Sequence, residues 1–266
     1  ELPGVVIKPS MDCPGGVNFE HPGFALTFRM ASIDSGPSRF YYSYDRGHHW
    51  EGPFRLPDMG TPGIAARTDY IAEGPHECMF FLTAAKKNGK EGRPFCARTA
   101  DGCKTWEFVS YIGPEPSGYA IMPATVRLSE TALFTVIRRR DGDHGFLESY
   151  RSEDNGLTWK YVSDPAEDLG PGNPASLIKL ADGRLCLTYG CRKEPFPMCA
   201  KLSRDGGQTW SSEIRLRADG LSQDIGYPRS VQRPDGKVVT IYYYCDAKTG
   251  PERYIAATIW DPAVFH

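Results

Sequence analysis

Ser152-Glu153-Asp154-Asn155-Gly156-Leu157-Thr158-Trp159 decides the fold of this chain, because it recurs. Ser203-Arg204-Asp205-Gly206-Gly207-Gln208-Thr209-Trp210 has the same Ser-x-Asp-x-Gly-x-Thr-Trp pattern. Ser43-Tyr44-Asp45-Arg46-Gly47-His48-His49-Trp50 keeps all but the threonine. Thr99-Ala100-Asp101-Gly102-Cys103-Lys104-Thr105-Trp106 keeps Asp, Thr and Trp, with Cys103 in the glycine position. The starts fall at 43, 99, 152 and 203, a step of roughly fifty residues that marks a repeat architecture. The chemistry of the stretch is that of a hairpin turn. Asp accepts nearby backbone N–H groups, Gly supplies a positive φ, and Trp opens the next strand and buries itself.

Between these turns the same four strands are legible. The second strand is a near-continuous apolar run, as a strand covered on both faces requires. It appears five times, at 24–30, 78–84, 133–138, 185–189 and 238–244. The first strands align at 122–128, 173–179 and 227–233, each with proline second. Asp182-Gly183 and Asp235-Gly236 follow two of them as hairpin turns. Weaker counterparts are 64–71 and a short piece near 17–21. The last unit reaches a third strand at 254–260 and stops before a fourth, while Val5 to Lys8 is a spare strand at the start. An open sheet edge invites association, so Val5 to Lys8 is expected to supply the outer strand of the last blade. The expectation is one all-β domain over residues 1–266. It is a five-bladed β-propeller of four-stranded antiparallel blades, closed by the N-terminal strand.

Bulk properties narrow the partners. A net charge of −2 gives no general attraction to nucleic acid. No apolar run approaches the roughly 18 residues that span a bilayer, so no membrane insertion is expected. The eight cysteines contain no Cys-x-x-Cys pair, so no metal site is expected. Cys78, Cys186 and Cys245 sit in apolar runs and read as small core residues. No cofactor is expected. The opening Glu1-Leu2-Pro3-Gly4 lacks the charged and apolar regions of a signal peptide. Secreted, periplasmic and cytoplasmic locations all remain open.

The four turns resemble the Asp-box, or BNR, repeat of the sialidase (neuraminidase) superfamily, and with the period of the repeat the resemblance covers nearly the whole chain. Residues 172–262 look most like bacterial sialidase-like proteins. The resemblance implies a propeller, a glycan substrate and often hydrolysis. It also implies that the boxes are structural turns on the face away from the active site. A standard sialidase has six blades, which is the alternative count here. Its Phe/Tyr-Arg-Ile-Pro motif has only Phe28-Arg29-Met30-Ala31 as a counterpart, so no catalytic residue carries over by motif.

Propeller geometry places the candidate residues. Strands alternate in direction, so the face opposite the boxes collects first-strand starts, second-strand ends and third-strand starts. First-strand starts supply His21, Arg67, Asp69, Asn173, Asp224, Tyr227 and Arg229. Second-strand ends and third-strand starts supply Arg138, Arg140, Arg192 and Glu148. Several arginines at one mouth suit bidentate capture of a carboxylate or sulfate, hence an acidic sugar. A retaining, sialidase-like version uses Tyr227 as nucleophile, Glu148 as its base and Asp69 as acid/base. The two-carboxylate version uses Asp69 and Asp224. His21, Arg67, Arg138, Arg140, Asn173, Arg192 and Arg229 would bind substrate. The reading that follows is an exo-acting glycoside hydrolase with a glycan partner. The alternatives are a non-catalytic glycan-binding propeller and a polysaccharide lyase.

Overall fold

The computed structural model describes residues 8–34, 36–66 and 69–265. Their strands form five consecutive antiparallel sheets. Blade 1 is β1 (Ala25–Met30), β2 (Ser38–Ser43) and β3 (Glu51–Leu56). Blade 2 is β4 (Asp69–Ala72), β5 (Cys78–Ala85), β6 (Glu91–Thr99) and β7 (Glu107–Tyr111). Blade 3 is β8 (Tyr119–Arg127), β9 (Leu133–Asp141), β10 (His144–Ser152) and β11 (Lys160–Tyr161). Blade 4 is β12 (Ala175–Lys179), β13 (Leu185–Gly190), β14 (Met198–Ser203) and β15 (Ile214–Arg217). Blade 5 is β16 (Gly226–Gln232), β17 (Val238–Tyr244) and β18 (Tyr254–Trp260). This is a five-bladed β-propeller with almost no helix, the fold and blade count expected from the repeat.

Two blades have three strands among the described residues rather than four. In blade 5 the expected outer strand, Val5 to Lys8, begins with residues that lie outside the described ones; Lys8 itself is in no strand. In blade 1 the expected first strand near residues 17–21 is not a strand. The reason is where its backbone hydrogen bonds go. Gly16 and Val17 donate to the carbonyls of Asp101 and Gly102 in the blade 2 turn, and Phe19 donates to Pro75. The N–H groups of this piece are thus spent elsewhere rather than on β1.

The repeated stretch does what its chemistry predicts, joining the third strand to the fourth in blades 1 to 4. In blade 3 the Ser152 hydroxyl donates to Asp154 at 2.8 Å and accepts the Gly156 N–H at 2.8 Å. Asp154 accepts the Thr158 N–H at 2.9 Å and its hydroxyl at 2.6 Å. Blade 4 repeats this with Ser203, Asp205 and Thr209. In blade 1 the missing threonine is replaced by His49, whose N–H and ring both reach Asp45. Cys103 adopts φ 68 where the other turns have glycine.

Residues 1–109 and 110–266 pack as two compact units. The first is held by an aromatic core. Phe28 meets Phe40 and Phe80 at 5.9 Å each, and Phe80 meets Trp106 at 4.7 Å. The second has a largely aliphatic core of Val136, Leu147, Leu177 and Leu187, with Phe134 and Tyr189. Here the turns also tie one blade to the next. Ser110 Oγ donates to Gly156 O at 2.5 Å, and Ser163 Oγ donates to Gly207 O at 2.7 Å. Trp159 Nε1 donates to both Ser110 and Gly156. The second strands of blades 2 and 4, β5 and β13, are buried on both faces. In blade 5 the run at 238–244 is covered on one face only, with Ile241 47% exposed. All eight cysteines are free thiols; Cys78, Cys186 and Cys245 are core residues, and burial raises the thiol pKa of Cys78 and Cys186.

Candidate functional site

In the second unit the end of each blade opposite the repeat turns gathers chemistry-bearing side chains. β8 begins at Tyr119, which pairs with Arg140, and Ile121 pairs with Arg138. β9 therefore alternates. Arg138 and Arg140 share one face, and Arg139 lies on the other. Arg138 is 7% exposed, its guanidinium 5.6 Å from the centre of the Tyr119 ring, with one N–H to Pro171 O at 3.2 Å. The Tyr227 phenol lies close enough to interact with its charge. Burial pulls its pKa down, against the nearby phenols of Tyr119 and Tyr227.

Blade 5 supplies the facing wall. Tyr227 stands 42% exposed at the start of β16, its ring 5.8 Å from that of Tyr243. The Tyr243 hydroxyl accepts from Arg192 at 3.1 Å and donates to Asp224 at 2.8 Å. Burial, reinforced by the Asp224 carboxylate, pushes Tyr243 up to about 12. Asp224 also pairs with Arg253 at 2.9 Å. The Nε atoms of Arg138 and Arg192 are buried with no hydrogen-bond partner. Two cations thus lie beside two phenols and a carboxylate. Such a group can grip an anion and can move a proton between tyrosine and carboxylate.

The other candidates are placed as follows. Glu148 sits opposite Ile137, on the face away from Arg138, and is held by Arg139. The base expected to serve Tyr227 is thus committed to an ion pair; the carboxylate that does contact a tyrosine of this group is Asp224. Arg140 is folded into the hairpin after β9, bonded to Gly142 O at 2.8 Å and to Asp143 at 3.0 Å. Asn173 is fully buried and bonds backbone: it donates to Ile225 O and accepts from the Tyr227 N–H. Arg229 is exposed on β16, opposite Ile241.

In the first unit His21 lies at the turn end of blade 1, its ring 4.7 Å from Tyr44. It is not at a first-strand start, because that strand does not form. Asp69 opens β4 opposite Phe81, half-buried. Arg67 lies outside the described residues. Tyr119 and Tyr243 were missed from the sequence. Tyr243 was hidden inside an apolar run, although strand alternation turns it away from the buried Tyr242 and Tyr244. Among the described residues no cluster of three His, Cys, Asp or Glu side chains is placed to hold a metal ion.

Comparison with known proteins agrees with this geometry at the level of fold. A family model described as the BNR repeat-like domain matches residues 28–240. No curated protein matches the chain. A solved protein of unknown function from Dyadobacter fermentans superposes with a TM-score of 0.70 at 22% identity, over 84% of this chain and 64% of that one. The NanB sialidase of Streptococcus pneumoniae gives 0.61 at 16% identity, over 85% of this chain and 36% of that one. The GH93 α-L-arabinofuranosidase of Fusarium graminearum gives 0.58 at 16% identity, over 76% and 64%. The chain therefore spans less than two thirds of each of these three relatives. These similarities carry the architecture. The match to the family model, which runs over most of the chain, carries more: the chain belongs to the BNR repeat-like domain family.

Proposed function

We propose that this chain is a sialidase-like, exo-acting glycoside hydrolase that removes a terminal acidic sugar from a glycan. One observation carries the reading. Arg138 and Arg192, each with a buried Nε and no partner for it, flank Tyr227 and Tyr243. The positive charge of Arg192 also acts on Arg138, and a sugar carboxylate binding beside the two guanidiniums would relieve that repulsion. Neutral sugars offer no such charge. Tyr227 is the exposed phenol of the group and is the nucleophile that would attack the anomeric carbon. Asp224 is the carboxylate paired to Tyr243 and is the proton acceptor of this group. The glycoside hydrolases among the structural relatives agree with a glycan substrate.

The test is a panel of reporter glycosides of sialic acid, uronic acids and neutral sugars, with binding measured in parallel. Cleavage of an acidic glycoside is expected. Arg138→Met and Arg192→Met should each lower kcat/KM by roughly 10- to 100-fold, the value of about 1.5–3 kcal/mol for a hydrogen bond to a charged group. Tyr227→Phe and Asp224→Asn should abolish turnover while leaving the melting temperature near wild type. Asp69→Asn tests the remaining carboxylate of the first unit. Binding without turnover by the wild-type protein would replace hydrolysis with recognition. Cleavage of neutral glycosides alone would overturn the acidic-sugar assignment.

A further inference from the structure

Tyr227 has φ 51, in the left-handed region, and it precedes Pro228. A bulky residue is rarely found there, and the following proline adds to the crowding. The residue sits at a register shift between Gly226 and Arg229, where β16 leaves its pairing with β17. A bulge of this kind re-aims a side chain. Met122, ahead of Pro123 in blade 3, has φ 54 at the matching shift between Ile121 and Ala124. The bulge is thus shared by the first strands of blades 3 and 5, but blade 5 adds something to it.

That addition is Asn173. It is fully buried, and its amide works in both directions. Nδ2 donates to Ile225 O at 2.6 Å, and Oδ1 accepts the Tyr227 N–H at 3.2 Å. The two backbone groups flank Gly226, which has φ 115 and lies directly on the amide. A Cβ at Gly226 would stand 2.2 Å from Asn173 Nδ2 and 2.4 Å from Oδ1. Gly190 closes the other side, where a Cβ would meet Nδ2 at 3.0 Å. An amide is the one short side chain with a donor and an acceptor at this spacing.

We infer that Asn173 is a positioning residue: its amide clamps the backbone on either side of Gly226, holds Tyr227 in its left-handed conformation, and so sets the phenol beside Tyr243. The clamp is independent of what the site does. That the aimed phenol serves a substrate rests on the hydrolase reading above.

The test couples Asn173→Ala to the backbone of Tyr227. Glycine adopts a left-handed φ freely, whereas alanine does not. Melting temperatures are measured for N173A in the wild-type, Y227A and Y227G backgrounds. Hydroxyl-radical footprinting of Tyr227, read by mass spectrometry, accompanies the wild-type and N173A proteins. N173A is expected to lower the melting temperature in the wild-type and Y227A backgrounds, and by less than half as much in Y227G. If N173A alone fails to fold, N173A/Y227G should recover folding. Oxidation of Tyr227 is expected to change at least threefold in N173A while peptides of the first unit stay constant. Equal losses in all three backgrounds, or an unchanged Tyr227 footprint in a folded N173A, would overturn the clamp. An inert wild-type protein that still shows the coupling would remove the hydrolase reading and leave the clamp standing.

Discussion

Gly207→Ala is expected to destabilise the chain by about 3 kcal/mol, combining a left-handed penalty of about 1–2 kcal/mol with overpacking of about 1–3 kcal/mol. Gly207 closes the blade 4 turn with φ 91. A Cβ there would stand 2.2, 2.4 and 2.9 Å from atoms of the Phe134 ring. Phe134 is fully buried on the second strand of blade 3 and cannot retreat without opening the core it shares with Leu147 and Leu187. The turn is also anchored by Ser163, which donates to the Gly207 carbonyl. Gly183→Ala is the control. It has φ 87 with nothing within 4 Å of the new methyl group, so only the left-handed penalty applies. Urea unfolding of the two variants separates backbone strain from the clash. Equal losses would show that the ring contact contributes nothing.

Acid should unfold the protein through the same turns. Hydrogen bonds from the Thr158 hydroxyl and N–H, with Ser152 behind them, hold Asp154 below the usual carboxylate range. Burial opposes the effect at Asp205, yet Thr209 and Ser203 still hold it at about 2. Asp45 is lowered chiefly by the His49 N–H and Ser43, and Asp101 by Thr105 and Thr99 against burial. A depressed folded-state pKa means stability that is present above the unfolded value and lost as pH falls through the folded one. The melting temperature should therefore fall steadily from about pH 4 to about pH 2. Asp154→Asn combined with Asp205→Asn should melt lower at neutral pH and show a shallower decline across that window. An unchanged slope would mean that these carboxylates are not what acid attacks.

The repeat was legible because it is local. Ser, Asp, Gly and Thr within seven residues satisfy one another, whatever the rest of the chain does. The five apolar second strands were legible for a related reason, since burial writes itself directly into composition. The first strand of blade 1 was misread because its hydrogen bonds go to a turn some eighty residues later in the chain, which no local pattern records. Candidate residues divided along the same line. Arg138, Arg192, Asp224 and Tyr227 were found by their place at strand ends, and the fold brings them into one group. Glu148 was found by the same rule but points to the other face, because one step along a strand reverses every side chain.

From the sequence alone came the propeller, its blade count, the role of the turns and strand ends rich in arginine. These follow from period and from residue chemistry within a single module. Tertiary structure decided which tyrosine meets which carboxylate. It committed Glu148 to Arg139, made Tyr243 the partner of Asp224, and turned Asn173 from a ligand contact into a clamp on the backbone before Tyr227. The first two pairings lie within one blade, 9 and 19 positions apart, and the third crosses from blade 4 to blade 5 over 54 positions. They depend on strand register and on one-residue bulges, which shift a side chain by several ångströms while leaving the sequence pattern unchanged.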